Sequence, residues 1–218
     1  MIWGATMAAG RQAYLRFGAT PQAEAHAVMA AQRLVESFHT LNKNINCVEI
    51  TDLDRSSSTL QMVTFFLLKG GFFGCCRRVA RYASAALDEI ESGMTEENKS
   101  PAQSASCAAM LARRMGASEM RAVMAAGFAG GIGLCGGGCG ALATALWVIG
   151  LERCLEPGGK ISYSDPQMKD LVERFLKSTG YTFECSEIVG RKFTDLEDHA
   201  AHLRNGGCAE LLDVLAAS

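Results

Sequence analysis

The chain has 218 residues, 21 basic against 23 acidic, and close to half of its residues are apolar. Nearly balanced charge with no basic block argues against a nucleic-acid partner, which needs a concentrated positive face. Four prolines, abundant Ala, Leu and Met, and no alternating run of strand length argue against a sheet and for an all-α fold.

Helix signals recur along the chain. Thr20-Pro21 pairs a cap residue with Pro at the first helical position, and Val28, Leu34, Val35, Phe38 and Leu41 follow at helical spacing. Residues 52–62 read as a loop or short irregular helix. A helix is expected to open beside Cys76 and to end near Gly93. The polar run SGMTEENKSP, residues 92–101, reads as a linker. Ser100-Pro101-Ala102-Gln103 then has the form of a capping box. Gly116 ends that helix and Ser118-Glu119 opens the next. The stretch Ala122–Leu151 has no charged residue and is long enough to span a bilayer. Eight glycines between Gly127 and Gly140 break it, so the expectation is two buried half-helices joined by a glycine turn, not a membrane span. Asp165-Pro166 repeats the Thr20-Pro21 signal and leads to Leu171, Val172 and Phe175. Residues 191–199 read as a loop or short irregular helix, and a last helix runs from about Cys208 to Leu215.

The chain also repeats itself. LVESF near residue 34 is followed by Cys47-Val48-Glu49-Ile50, and LVERF near residue 171 by Cys185-Ser186-Glu187-Ile188. Cys75-Cys76 answers to Cys208, and Trp3-Gly4-Ala5 to Cys139-Gly140-Ala141. The expected organisation is therefore two pseudo-repeated helical units with glycine-rich turns, 1–92 and 102–218.

Nine cysteines are an odd number, so they cannot all pair within one chain. The start, MIWGATMAAGRQAYLRFG, lacks a basic region ahead of an apolar core, so no secretory signal is expected. A reducing cytoplasm is the expected compartment, where abundant cysteine points to metal or redox chemistry. Short metal motifs are missing: there is no CxxC, CxxCH or HExxH. Buried cysteines packed as small apolar residues remain the bland alternative.

The second unit resembles the redox-active family named for the pattern C…GCAxxG…C…C. SASCAAML, AAGFAGGIGLCGGGCGALATALWVIGL, FECSEI and GGCAELL carry the likeness over about residues 102 to 218. The resemblance implies a cofactor or metal site at Cys107, Cys139, Cys185 and Cys208. It departs at GCGALAT, where a glycine follows Cys139 and Thr144 stands where the family has its later glycine. Cys135, one helical turn before Cys139, is an additional ligand or resolving thiol in this reading. A related domain in split-Soret cytochromes is associated by similarity with an iron–sulfur centre; their haem motif is absent here. The first unit looks like a truncated, degenerate copy, with Trp3 where Cys139 stands and no counterpart of Cys107. Cys47 and Cys75 or Cys76 survive there, either as inherited core or as part of a site shared with another chain.

Physical chemistry gives such a site a reason. Glycine lets backbone N–H groups approach sulfur, and helices opening at Cys139 and Cys208 aim their positive ends at it, an arrangement expected to lower a thiol pKa. Three functions follow: an electron-transfer protein holding an iron–sulfur cluster on four thiolates and serving a redox partner protein; a thiol–disulfide oxidoreductase using Cys139 with Cys135; or a non-catalytic helical scaffold, with zinc as a structural variant. A homodimer is compatible with all three. Arg113-Arg114 and Arg77-Arg78 are expected on solvated helix faces, and His199 and His202 at the surface.

Overall fold

The computed structural model describes residues 1–51, 53, 57–68, 70–95, 106–160, 162 and 164–217. Among these the fold is all-α, with one isolated antiparallel bridge, Gly138 to Glu184, and no strand.

The first half opens with α1 (Ile2–Phe17) and α2 (Pro21–Asn42). The Thr20 hydroxyl accepts the Ala23 N–H at 3.2 Å, so the cap read from Thr20-Pro21 is made. Then come α3 (Cys47–Thr51) and α4 (Thr59–Val63), which Ser58 and Gln61 close with a capping box. A π-helical turn, Thr64–Leu68, leads to α5 (Gly71–Thr95). This helix starts earlier than its cysteines suggested. Gly70 turns the chain at φ +64°, and the Phe65 ring lies so close to Gly71 that a Cβ there would meet it at 2.2 Å. It also runs through Ser92–Thr95, which were expected in the linker. The rest of that linker and the Ser100–Gln103 capping box lie outside the described residues.

The second half comprises α6 (Cys107–Arg114), α7 (Glu119–Ala126), α8 (Gly140–Leu155) and α9 (Pro166–Ser178). It closes with α10 (Cys185–Val189), α11 (Leu196–Arg204) and α12 (Ala209–Ala216). Ala122–Leu151 is the expected pair of helices around a glycine turn, and Ala122, Val123, Ala125, Ala126, Ala129 and Ala145 are fully buried in the protein. No single helix among the described residues is long and apolar enough to cross a membrane.

Helices α1, α2 and α5 pack on one another, as do α8, α9 and α12. The α6–α7 pair ties the two groups: α7 lies on α1 and α2, and α6 on α8 and α12. Small residues permit this. A Cβ on Gly10 would stand 2.6 Å from the Met124 backbone, and one on Gly93 would stand 3.0 Å from Ala30. Polar locks fix the register. Tyr82 donates its hydroxyl to the Leu34 carbonyl at 3.0 Å, and His26 bonds the Gly93 carbonyl at 2.9 Å while its ring stacks on Phe17. Arg113 is not on a solvated face as expected: it reaches back to buried Glu24 on α2 at 2.7 Å and also pairs with Glu119. Arg114 pairs with Asp213 on α12. The apolar core falls in two clusters, one around α1, α2, α5 and α7, the other around Cys107, Cys139 and the helices α8, α9 and α12.

Candidate redox centre

All four cysteines of the C…GCAxxG…C…C pattern stand where helices begin. Cys107 is the first residue of α6 and Cys185 the first of α10; Cys139 caps α8 and Cys208 caps α12. Each position has a local cause. The Ser106 hydroxyl accepts the Ala109 N–H at 3.2 Å and donates to the Ala126 carbonyl at 2.9 Å, so α6 is started and pinned to the end of α7 at once. At Cys208 the backbone is left-handed, φ +61°, just after Gly206 at φ +83°.

The segment between α7 and α8 is the least ordinary backbone in the molecule. Gly130, Gly131, Ile132, Gly133 and Leu134 all have positive φ, which makes a left-handed turn five residues long. For Ile132 and Leu134 such a conformation costs roughly 1–2 kcal/mol each. Two long-reach bonds hold it: Gly133 N–H to the Gly127 carbonyl at 2.8 Å and Gly136 N–H to the Gly130 carbonyl at 2.9 Å. The turn aims the Gly130 N–H at the Cys107 sulfur, while the Ala141 and Leu142 N–H groups serve Cys139. This is the concave array of donors that suits a negatively charged sulfur.

The turn then meets α10. Cys139 N–H donates to the Phe183 carbonyl and Cys185 N–H to the Gly137 carbonyl, both at 2.8 Å, around the Gly138–Glu184 bridge. Ser186 adds a backbone and a hydroxyl bond to the Gly136 carbonyl. Cys139 and Cys185, distant in sequence, are thereby fixed at the two ends of one short bridge.

Electrostatics shows how far the convergence goes. Burial raises the Cys185 thiol pKa most, and the charges of Cys107, Cys139, Cys208 and Cys135 raise it further. The Cys208 thiol is pushed up to about 12 by burial and then by Cys107 and Cys139. Cys139 is pushed up to about 11 by burial first, the Leu142 N–H pulling it down and Cys107 pushing it up. Burial likewise raises Cys107, against the pull of the Gly130 N–H. The four sulfurs thus lie within electrostatic reach of one another. The expected lowering of thiol pKa does not occur: at Cys107 and Cys139 backbone N–H groups pull in the expected direction and desolvation outweighs them, while at Cys208 and Cys185 every cause raises the pKa. Among the described residues, however, no three His, Cys, Asp or Glu side chains stand close enough together to enclose a single metal ion.

The other cysteines separate. Cys135 donates its thiol to the Gly131 carbonyl at 2.7 Å and lies near enough to Cys185 to raise its pKa. It shares a cavity of about 240 Å³ with Cys47, Trp3, Phe38 and Ile132, so the first half forms a wall of the space behind the glycine turn. Trp3 packs edge-on to Phe128 at 4.8 Å. Cys76 is exposed within α5, several residues past its start, and so lacks the helix-start setting of Cys208. Cys154 is exposed on α8.

Two histidines near Cys208 in sequence, which could supply a ligand in place of a cysteine but were favoured as surface residues, lie closer in than that. His202 Nε2 stands 3.6 Å from the Cys208 sulfur, and Gly207 is required there because a Cβ would enter the imidazole ring at 2.2 Å. His199 is fully buried, edge-on to Phe193. Both histidines were expected at the surface. The pair HxxH three residues apart was a helical-face signal, and the apolar Phe193 beside it was the cue to burial.

The protein is thus an all-α one in which four helix-start thiols gather around a donor-rich left-handed turn. The model of the family described as "Putative redox-active protein (C_GCAxxG_C_C)" matches residues 102–217, more than half of the chain, and the chain belongs to that family. No curated protein and no solved structure matches it.

Proposed function

We propose that this redox-active chain holds an iron–sulfur cluster on Cys107, Cys139, Cys185 and Cys208 and passes electrons between partner proteins. The observation that carries the reading is that four helix-start thiols, Cys107 and Cys139 buried and Cys185 and Cys208 half-buried, lie within electrostatic reach of one another around the glycine turn. The donor set fits: four thiolates are the usual complement of such a cluster, and backbone N–H groups directed at the sulfurs tune its potential. Zinc, which also takes four thiolates, is the competing occupant that metal analysis separates from a cluster. When bound, the cluster would supply one-electron storage at the protein's centre.

The residues themselves divide the work. Burial holds the thiols neutral until a thiophilic metal displaces their protons, so loading releases protons. The Gly130, Ala141 and Leu142 N–H groups face sulfur and offset its charge without introducing a competing base. Apolar Leu142, Phe175 and Phe193 belong to the same core cluster and exclude water.

The first half reads as a degenerate copy of the second. α1 and α8 are both 16 residues long, α3 and α10 both five, and Cys47 opens α3 as Cys185 opens α10. Trp3 replaces the Cys139 position, so this half builds a wall of the cavity instead of a second centre. Iron, zinc and labile sulfide determined on protein prepared without oxygen test the proposal. Brown protein with iron and sulfide supports it; colourless protein with stoichiometric zinc, or with neither metal after reconstitution, overturns it.

A further inference from the structure

The segment from α4 to the first turns of α5 is exposed where it ought to be covered. Leu60 and Leu67 are each 75% exposed and Phe73 78%, and Val63, Phe66 and Phe72 are also turned outward. Thr59–Leu67 and Gly71–Thr95 meet at a bend of 62°, so these side chains crowd the apex of a helical wedge. Along α5 the exposed stripe continues through Cys76, Val79, Ala83 and Leu87 at helical spacing. Its inner face, Tyr82, Ala86 and Ile90, is buried against the first half. Single exposed apolar residues are ordinary, but a contiguous patch of this kind marks an interaction surface.

Charge selects the occupant. Residues 57–87 contain Lys69, Arg77, Arg78 and Arg81 and no Asp or Glu, whereas the far end of α5 carries Asp88, Glu89 and Glu91, so the positive charge is confined to the wedge end of the helix. The near balance of the whole chain conceals this local excess. Arg77 and Arg81 are exposed beside the apolar stripe. A second copy docking through the same face would set cationic patch against cationic patch, because a two-fold interface is self-facing. An anionic lipid surface meets both demands: headgroups pair with the arginines and the wedge enters the acyl boundary. An apolar groove of about 320 Å³ between α1 and α5, lined by Met1, Ala5, Ala8, Val79 and Leu87, extends the same face.

We infer that the α4–α5 wedge is a monotopic attachment site for anionic membranes, with Phe66, Leu67, Phe72 and Phe73 inserted and Arg77, Arg78 and Arg81 on the headgroups. The chain lies on the bilayer and does not cross it. This inference is independent of the cysteine centre and survives or fails separately from it.

The test is flotation with vesicles of phosphatidylcholine alone and of phosphatidylcholine mixed with phosphatidylglycerol. The intact protein should float with the mixed vesicles, less so with phosphatidylcholine alone, and less as salt rises. Reversing Arg77, Arg78 and Arg81 to Glu should weaken binding on the order of a hundredfold. Phe66→Ser, Phe72→Ser and Phe73→Ser together should abolish it while leaving helicity unchanged. Phe73→Trp gives a direct readout, a blue-shifted emission on mixed vesicles. Equal flotation of wild type and the Phe variant, or no emission shift, overturns the inference. So does a wild-type dimer in sedimentation that the Phe variant converts to monomer without any vesicle binding, which would identify a second copy as the occupant.

Discussion

Cys139 and Cys185 flank one short antiparallel bridge, Gly138 to Glu184: Cys139 N–H bonds Phe183 O and Cys185 N–H bonds Gly137 O, each 2.8 Å long. Both residues also begin helices, so the same short bridge fixes two helix ends and two sulfurs. A metal-binding pair usually needs a short sequence motif to set its geometry. In the proposed site the bridge between the glycine turn and α10 would take the place of such a motif.

Replacing any one of the four converging thiols should therefore matter more than replacing an outlying one. Cys139→Ser and Cys185→Ser are expected to lose most bound iron and the associated visible absorption. Cys154→Ser, on the exposed face of α8, should retain both. Iron content per chain, measured on all three variants purified in parallel, checks this; equal retention in all three would rule out ligation by the bridge pair.

The glycine turn makes a sharper prediction, because its residues differ in room. A Cβ on Gly140 would fall 1.8 Å from the Phe128 carbonyl oxygen, whereas at Gly138 nothing lies within 4 Å and φ is not left-handed. Gly140→Ala should destabilise the fold by about 3 kcal/mol or more, since backbone must move to admit the methyl. Gly138→Ala should cost under about 1 kcal/mol. Urea unfolding of the pair decides it, and similar midpoints would mean the turn is not packed as described.

Much of this was legible beforehand and some was not. The capped starts at Thr20 and Asp165, the half-helices around the glycine turn and the all-α class follow from local rules of capping, periodicity and glycine freedom, and the structure has all of them. The early start of α5 was missed because Phe65 and Gly71 pack across the bend, a contact that local spacing does not encode. The thiols' protonation was misjudged for a related reason. Helix ends are visible in sequence, but the depth at which they are buried is a tertiary quantity, and at Cys139 it dominates. The role of Arg113 was hidden likewise, since its partner Glu24 is 89 residues away.

That partnership can be measured. Glu24 is 2% exposed and its Arg113 partner 31%, so removing the arginine takes a short charged hydrogen bond away from a buried carboxylate. Arg113→Met should destabilise the protein by roughly 3 kcal/mol. Adding Glu24→Gln should recover part of that, because the buried charge that Arg113 balanced is gone. A double-mutant cycle from thermal or denaturant unfolding supplies the coupling, and purely additive losses would show that the pair does not couple α2 to α6.

The raised thiol pKa values carry a pH dependence whose direction is fixed. An unfolded cysteine ionises near about 8.5. In the folded, metal-free chain Cys139 is pushed up to about 11 and Cys208 to about 12, and Cys185 is raised further still. Between those values the unfolded chain has given up protons that the native one retains, so stability must fall as pH rises. The contribution is fully present below pH ~8.5 and is lost progressively as pH climbs through the folded values. Metal-free protein should therefore lose denaturant resistance steeply from about pH 8.5 upward. Loading should remove most of that slope, because ligated sulfurs are already deprotonated and no longer titrate. Urea midpoints at several pH values, taken with and without reconstitution under argon, test both halves. A flat profile for the metal-free chain would mean that the four thiols are not buried together, and the proposed centre would fall with them.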